Sequence, residues 1–162
     1  MGIPMDTIQS VVGVHYMEED KHMAVFIDMV VEEGGTPPTT SDGNAGIDLY
    51  ASDGGCIPAC RSKRISTGLH MAIPTGYKGV VYGRSGLAFS EDIVPHLGVI
   101  DSSYRGEIKV LLYNMGDEDY CYKRGDRMAQ LCIEPCPYVQ LRVVDELTET
   151  NRGSNGFGSS GV

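Results

Sequence analysis

Between Lys63 and Ile73 the chain reads KRISTGLHMAI, and Ile65, Thr67, Leu69, Met71 and Ile73 all fall on one parity. Four apolar side chains and a threonine at a period of two describe a strand with one buried face, because successive residues of a strand point to opposite sides. The same reading extends along the chain. The run AVFIDMVV (24–31) is rich in β-formers and is closed by GGTPP, and further strands are expected at 77–82, 106–114, 127–134 and 138–145. Gly, Pro, Asn or Asp punctuates nearly every gap, and only SGLAFSED (85–92) could form a short helix. With 21 glycines and no tryptophan in 162 residues, the composition fits a turn-rich chain. Many short strands at this spacing predict an all-β domain, either a barrel or a jelly-roll sandwich; periodicity alone does not choose between them.

The length suits one domain able to bury a core. Residues 1–22 are weakly patterned and read as an N-terminal extension, with Met23 as an alternative start; the β domain runs from 23 to 150. After Glu149 the composition changes to RGSNGFGSSGV, from which no core can be built. One Arg and one Phe among glycines make either a loose tail or a lid, so 151–162 is read as a flexible C-terminal segment.

The net charge of −9 repels nucleic-acid backbones and anionic lipid, so neither is an expected partner. A small phosphorylated ligand is still permitted, because a few nearby Arg residues outweigh a distant field. Cys56, Cys60, Cys121, Cys132 and Cys136 are odd in number and lie in two C-x3-C pairs without nearby His. They are expected to be reduced structural thiols rather than a zinc site or a disulfide framework. No apolar run has the length of a membrane span, and the start MGIPMD lacks the regions of a signal peptide, so a soluble intracellular protein is expected.

Four segments before the tail carry candidate chemistry. AGIDLYAS (45–52) sets Asp48 between apolar neighbours, where a carboxylate is costly unless it is paired, caps a turn or meets water near a metal. YGRSGLAFS (82–90) leads into the possible helix. Its backbone N–H groups, with Ser85 and the fixed charge of Arg84, could hold a phosphate. It is not a G-x-S-x-G elbow, so Ser85 is not read as a nucleophile. GVIDSSYRGEIKV (98–110) suggests a strand–turn–strand hairpin with Asp101 at the end of an apolar run and Tyr104 in the turn. A carboxylate there could serve as general base, and the aromatic could pack against a sugar. In YKRGDRMAQLCIEP (122–135), Gln130 lies on the face opposite Ala129, Leu131 and Ile133 and could donate to a phosphate. Asp126 and Arg127 would make at most a surface pair of little value.

Taken together, AGIDLYAS, GRSGLA, GVIDSSYRGEIKV, RGDRMAQL and RGSNGFGSSG resemble the five motifs of the homotrimeric dUTPase family, in order and at their usual separations, over about residues 24–162. The resemblance implies a jelly-roll-like β-barrel, assembled as a homotrimer with three shared active sites. It implies hydrolysis of dUTP to dUMP and pyrophosphate with Mg²⁺, which keeps uracil out of DNA and supplies dUMP for dTMP synthesis.

By the same resemblance Asp101 is the general base acting on water, and Tyr104 stacks on the deoxyribose and leaves no room for a 2′-hydroxyl. The backbone from Gly98 to Lys109 reads uracil, while Arg84, Ser85, Gly86 and Gln130 bind phosphate. Asp48 acts on the metal through water. Arg152, Ser159 and Ser160 meet the γ-phosphate, with Gly158 in substrate contact and Phe157 as the lid over uracil. The implied reaction is attack of water on the α-phosphorus with pyrophosphate leaving in line and no covalent intermediate. Ile47, Asn155 and Ser160 depart from residues frequent in the family, and none of the three is the base, the stacking Tyr or the lid Phe. The rival readings are a dCTP deaminase-like enzyme and a regulatory binding protein on the same scaffold.

Overall fold

The alternation between Ile65 and Ile73 buries all five residues of that parity, to exposures of 1, 2, 2, 5 and 1% in order, yet it is not one strand. The structure, a computed structural model, describes residues 14–16, 23–41 and 43–156. In it β6 (Ser62–Ile65) and β7 (Leu69–Ala72) are separated by a crossing at Ser66–Gly68. Gly68 takes φ +64° there, and Thr67 Oγ1 donates to Ile108 O (2.6 Å) while accepting from Leu69 N (3.1 Å). A single buried threonine thus satisfies the backbone where the chain passes from one sheet to another.

The other strands among the described residues are β1 (Val14–Tyr16), β2 (Met23–Val25), β3 (Asp28–Val31), β4 (Ile47–Tyr50), β5 (Gly55–Ile57), β8 (Tyr77–Tyr82), β9 (Ile93–Pro95), β10 (Gly98–Ile100), β11 (Val110–Asn114), β12 (Tyr120–Tyr122) and β13 (Arg127–Pro135). The one described helix, α1 (Ser85–Glu91), is where the sequence placed it and ends at Asp92 in a left-handed conformation. All pairings are antiparallel. They form a four-stranded sheet in the order β10-β8-β13-β4, a three-stranded sheet β6-β11-β9, and the ribbons β1-β2, β3-β7 and β5-β12. The molecule is mostly β, as expected. Its ring of hydrogen bonds does not close among the described residues, because the strands divide among separate sheets packed around Leu49, Ile57, Ile65, Leu112, Met128 and Leu131. No helix among the described residues is long and apolar enough to cross a membrane.

Several local expectations need correction. The run 24–31 breaks at Phe26–Ile27 into β2 and β3. The strand expected at 106–114 begins only at Val110. The hairpin expected at 98–110 does not form: β10 pairs with β8, and β11 pairs with β6 and β9, so residues 101–109 bridge two sheets. Residues 138–145 form no strand. Tyr138, Leu141 and Val143 are exposed, since β propensity without a neighbouring strand satisfies no backbone group. Cys56 and Cys121 are not reduced thiols but a disulfide, with a sequence separation of 65. They face each other directly across β5 and β12, a proximity that the C-x3-C spacing conceals. Cys60, Cys132 and Cys136 are free, and burial, with the Glu134 charge, pushes the Cys132 thiol up, as suits an inert structural cysteine.

Candidate active site

Strand β8 organises the candidate residues into two groups. At its C-terminal end Tyr82 lies opposite Gln130 of β13, and Gln130 in turn lies opposite Asp48 of β4. Gln130 Nε2 donates to Gly83 O at 2.7 Å. The space for this arm is made by Gly46, where a Cβ would fall 2.5 Å from Gln130 Oε1. The Asp48 carboxylate accepts from Arg84 Nε at 3.1 Å and from Arg127 Nη1 at 3.4 Å. Its costly position among apolar neighbours is therefore paired by two guanidinium groups. Arg127 has Asp48 rather than Asp126 as its partner, and Asp126 instead accepts from Lys123 N at 2.9 Å to close its own turn. Ser85 and Gly86 follow Arg84 directly at the start of α1. A Cβ on Gly86 would meet nothing within 4 Å, so the fold itself does not demand glycine there.

The second group lies at the other end of β8. The β10–β8 register runs Gly98↔Val81, Val99↔Val80, Ile100↔Gly79, and Asp101 follows directly after β10, toward the N-terminal end of β8. Asp101, Tyr104, Glu107 and Lys109, with Val99 and Ile100, line a cavity of about 240 Å³. Within its rim Tyr104 N donates to Asp101 O (3.0 Å), and Tyr104 Oη donates to Glu107 O (2.9 Å). The Tyr104 ring lies where a side chain on residue 106 would stand, which requires Gly106. Glu107 Oε1 accepts from Thr67 N and Gly68 N, each at 3.0 Å, and Oε2 meets Lys109 Nζ at 3.0 Å. Burial pushes this carboxyl up, but the Gly68 N–H, Lys109 and the Thr67 N–H outweigh it, and its pKa is lowered.

Arg84 is five positions beyond Gly79, the partner of Ile100, up to about 17 Å along an extended chain at roughly 3.3 Å per residue. One chain therefore assembles Asp48, Arg84, Ser85, Gly86 and Gln130 at one end, and Asp101, Tyr104 and Lys109 at the other, with Gly98 between them on β10. Arg152 belongs to neither group: its Nε donates to Asn155 O at 2.8 Å within the exposed tail. Phe157, Gly158, Ser159 and Ser160 lie outside the described residues. Arg127 and Glu107 were missed as site residues, although both lie inside the recognised motifs; only the β4–β13 register and the fold of the 101–109 bridge give them partners.

The dUTPase family model matches residues 32–161, from just after the first β run through nearly all of the tail. The chain belongs to the dUTPase family. Among its curated relatives, the deoxyuridine 5'-triphosphate nucleotidohydrolase of Paramecium bursaria Chlorella virus 1 is 42% identical over 139 residues, covering 86% of this chain and 99% of the relative. A probable deoxyuridine 5'-triphosphate nucleotidohydrolase of Schizosaccharomyces pombe is 41% identical over 140 residues, covering 86% and 100%. In three dimensions the chain is similar to the dUTPase of Staphylococcus bacteriophage 80alpha, solved with dUPNHPP, at a TM-score of 0.79 and 25% identity, covering 85% of this chain and 99% of that one. It also shares the fold of the phage phi11 dUTPase of S. aureus, a D-to-N variant of which shows the coordination of a structural Mg(II) ion, at a TM-score of 0.71 and 23% identity, covering 75% and 97%. The dUTPase match runs through both ends of β8, so both groups of residues lie inside the family's region.

Proposed function

We infer that this protein hydrolyses dUTP to dUMP and pyrophosphate. The observation that carries the reading is the family match over residues 32–161, which runs through all five motifs. The nucleotidohydrolase names of its curated relatives support dUTP as substrate and give no support to a dCTP deaminase. In this reading the Asp101 carboxylate takes a proton from the water that attacks the α-phosphorus, and pyrophosphate leaves in line. Tyr104, 43% exposed at the cavity mouth, packs on the deoxyribose, and the backbone from Gly98 to Lys109 reads uracil. Arg84, Ser85, Gly86 and Gln130 hold phosphate oxygens; Arg84 does so by exchanging part of its contact with Asp48 for a ligand of like charge. The tail from Arg152 through Phe157, Gly158, Ser159 and Ser160 closes over the substrate, with hydroxyls and guanidinium on the γ-phosphate.

A divalent ion fits this arrangement only in one way. No group of three or more His, Cys, Asp or Glu that could cage a metal occurs among the described residues, and Asp48 is already paired with two arginines. That suits Mg²⁺ held chiefly by the substrate's phosphates and water, with Asp48 touching it through water. When bound, the ion would neutralise phosphate charge and fix the triphosphate in one shape.

The assembly proposed is a homotrimer of jelly-roll-like barrels with shared sites. The separation of Asp101 from Arg84 along β8 supports it, because a neighbouring chain would bring each half-site its missing partner. The exposed apolar side chains of Tyr138, Leu141, Val143 and Leu147 support it too, as surface that an assembly would cover. Incubation with dUTP, dCTP or UTP and Mg²⁺ tests the activity. Pyrophosphate and dUMP from dUTP alone are expected, whereas release of ammonia from dCTP, or no turnover of any of the three, contradicts the reading.

A further inference from the structure

The 101–109 bridge carries Asp101 and Tyr104 but has almost no regular structure of its own. Its internal bonds close only on themselves: Arg105 Nη1 donates to Ser102 O and to Tyr104 O, each at 2.7 Å, and Tyr104 N donates to Asp101 O. Four contacts among the described residues fix it to the rest of the molecule. Three are Glu107 on the Thr67 and Gly68 N–H groups, Ile108 N on Leu69 O at 2.8 Å, and Thr67 Oγ1 on Ile108 O at 2.6 Å. The fourth is His70 of β7, whose Nδ1 lies 3.0 Å from Arg105 O and whose Nε2 lies 2.8 Å from Glu32 Oε1.

Both ring nitrogens of His70 therefore face atoms that only accept. A neutral imidazole has one N–H and can satisfy one of them; the other contact would set lone pair against lone pair. With Glu32 ionised, the doubly protonated ring is the form that satisfies both contacts at once. We propose that His70, as an imidazolium bridging Glu32 and the Arg105 carbonyl, is a positioning residue for the turn that carries Asp101 and Tyr104. The inference rests on the roles given to those two residues above.

The surrounding charges agree with the geometry. Glu32 follows β3, and Asp28 lies on the same face of that strand as Val30, which is paired with His70. Glu107, Arg105 and Lys109 approach from the bridge. The Arg105 carbonyl, then the Glu32 hydrogen bond, hold the imidazole above its usual 6.5 against a smaller loss from burial, with the Glu32 and Glu107 charges adding to the rise. The sign follows. With its folded value raised, the clamp is complete below about pH 6.5 and is lost as pH rises through the folded value. The neutral ring keeps its single proton on the charged acceptor, Glu32, because that is the stronger bond. The Arg105 carbonyl then loses its tie to β7, which leaves the turn held through Glu107 and Ile108 at its C-terminal side.

The test measures kcat/KM for dUTP against pH for the full-length protein and for His70→Ala, Glu32→Gln and Asp101→Asn, alongside NMR titration of the His70 ring in the unsubstituted chain and in Glu32→Gln. The unsubstituted protein is expected to lose about tenfold on the alkaline side, the scale of a small misplacement of reacting groups, with a midpoint that matches the His70 titration. His70→Ala should be lower by a similar factor at neutral pH and lack that inflection. Glu32→Gln, an exposed change, should move the NMR midpoint and the kinetic inflection together toward lower pH, and it keeps the inference testable should His70→Ala fold poorly. If the alkaline limb is the same in His70→Ala, or stays in place when Glu32→Gln moves the NMR midpoint, the inference is overturned. Retained turnover in Asp101→Asn would instead sink the reading of the turn itself, and the two failures are thereby told apart.

Discussion

The two ends of β8 hold their candidate site residues in different ways. At the Asp48 end the groups sit on or directly beside strands of one sheet and pair with one another: Asp48 with Arg84 and Arg127, Gln130 with the Gly83 carbonyl. At the Asp101 end they sit on an irregular bridge between two sheets, tied down by Glu107 and His70. The first end presents two guanidinium groups on one shared carboxylate. The second is a cavity whose shape depends on a few side chain-to-backbone bonds. Under the proposed reading, positioning phosphate falls to one end and activating water to the other, so substitutions at the two ends should change different kinetic constants.

Asp101→Asn gives the largest expected effect, a loss of about 10²-fold or more in kcat with KM nearly unchanged, measured as pyrophosphate release under saturating dUTP. Near-normal turnover would remove the base from that end. Arg84→Ala, at the opposite end, is expected to act mainly on KM and to lower kcat/KM by about 10- to 100-fold, the scale of a lost charge-assisted bond. A pure kcat defect there would erase the contrast. Tyr104→Ala should narrow the ratio of kcat/KM for dUTP over UTP by about tenfold, since it opens room for a 2′-hydroxyl; equal weakening on both substrates speaks against the steric role. The smallest effect is expected from Gly46→Ala. Its Cβ would displace Gln130 and break the bond to Gly83 O, at about 1 kcal/mol of stability and a few-fold in KM, read by thermal unfolding and steady-state kinetics. An unchanged Tm and KM would mean that Gln130 is not held for phosphate by that bond.

How much of this was legible in the sequence depends on whether the information was local. Residues 65–73 and 138–145 both carry strand composition. The first buries every residue of its parity because β3 and β11 are there to pair with it; the second has no partner strand among the described residues and stays exposed. Alternation reports which side chains want burial, not which strand will cover them. The motif residues were legible because their spacing is local, and the family resemblance ordered them. Their partners were not: Arg127 meets Asp48 through a register between positions 79 apart, His70 reaches Arg105 across 35, and Cys56 finds Cys121 across 65. The break at Thr67–Gly68 was hidden as well, since a crossing that keeps parity leaves the pattern of burial unaltered.

The central claim is that the two ends of β8 in one chain belong to two different sites, each completed by a neighbour. With dUTP held well below KM, Asp101→Asn and Arg84→Ala chains alone are each expected to turn over more slowly than the unsubstituted protein, by about 10²-fold or more and by about 10- to 100-fold respectively. The direct measurement is dUTP turnover after the two are unfolded together and refolded as a mixture. Mixed assemblies then contain sites with an intact Asp101 from one chain and an intact Arg84 from another, and recovery to an appreciable fraction of the unsubstituted rate is predicted. Activity in the mixture no greater than the sum of the two separate proteins, with mixed assemblies confirmed by native mass spectrometry, would contradict it.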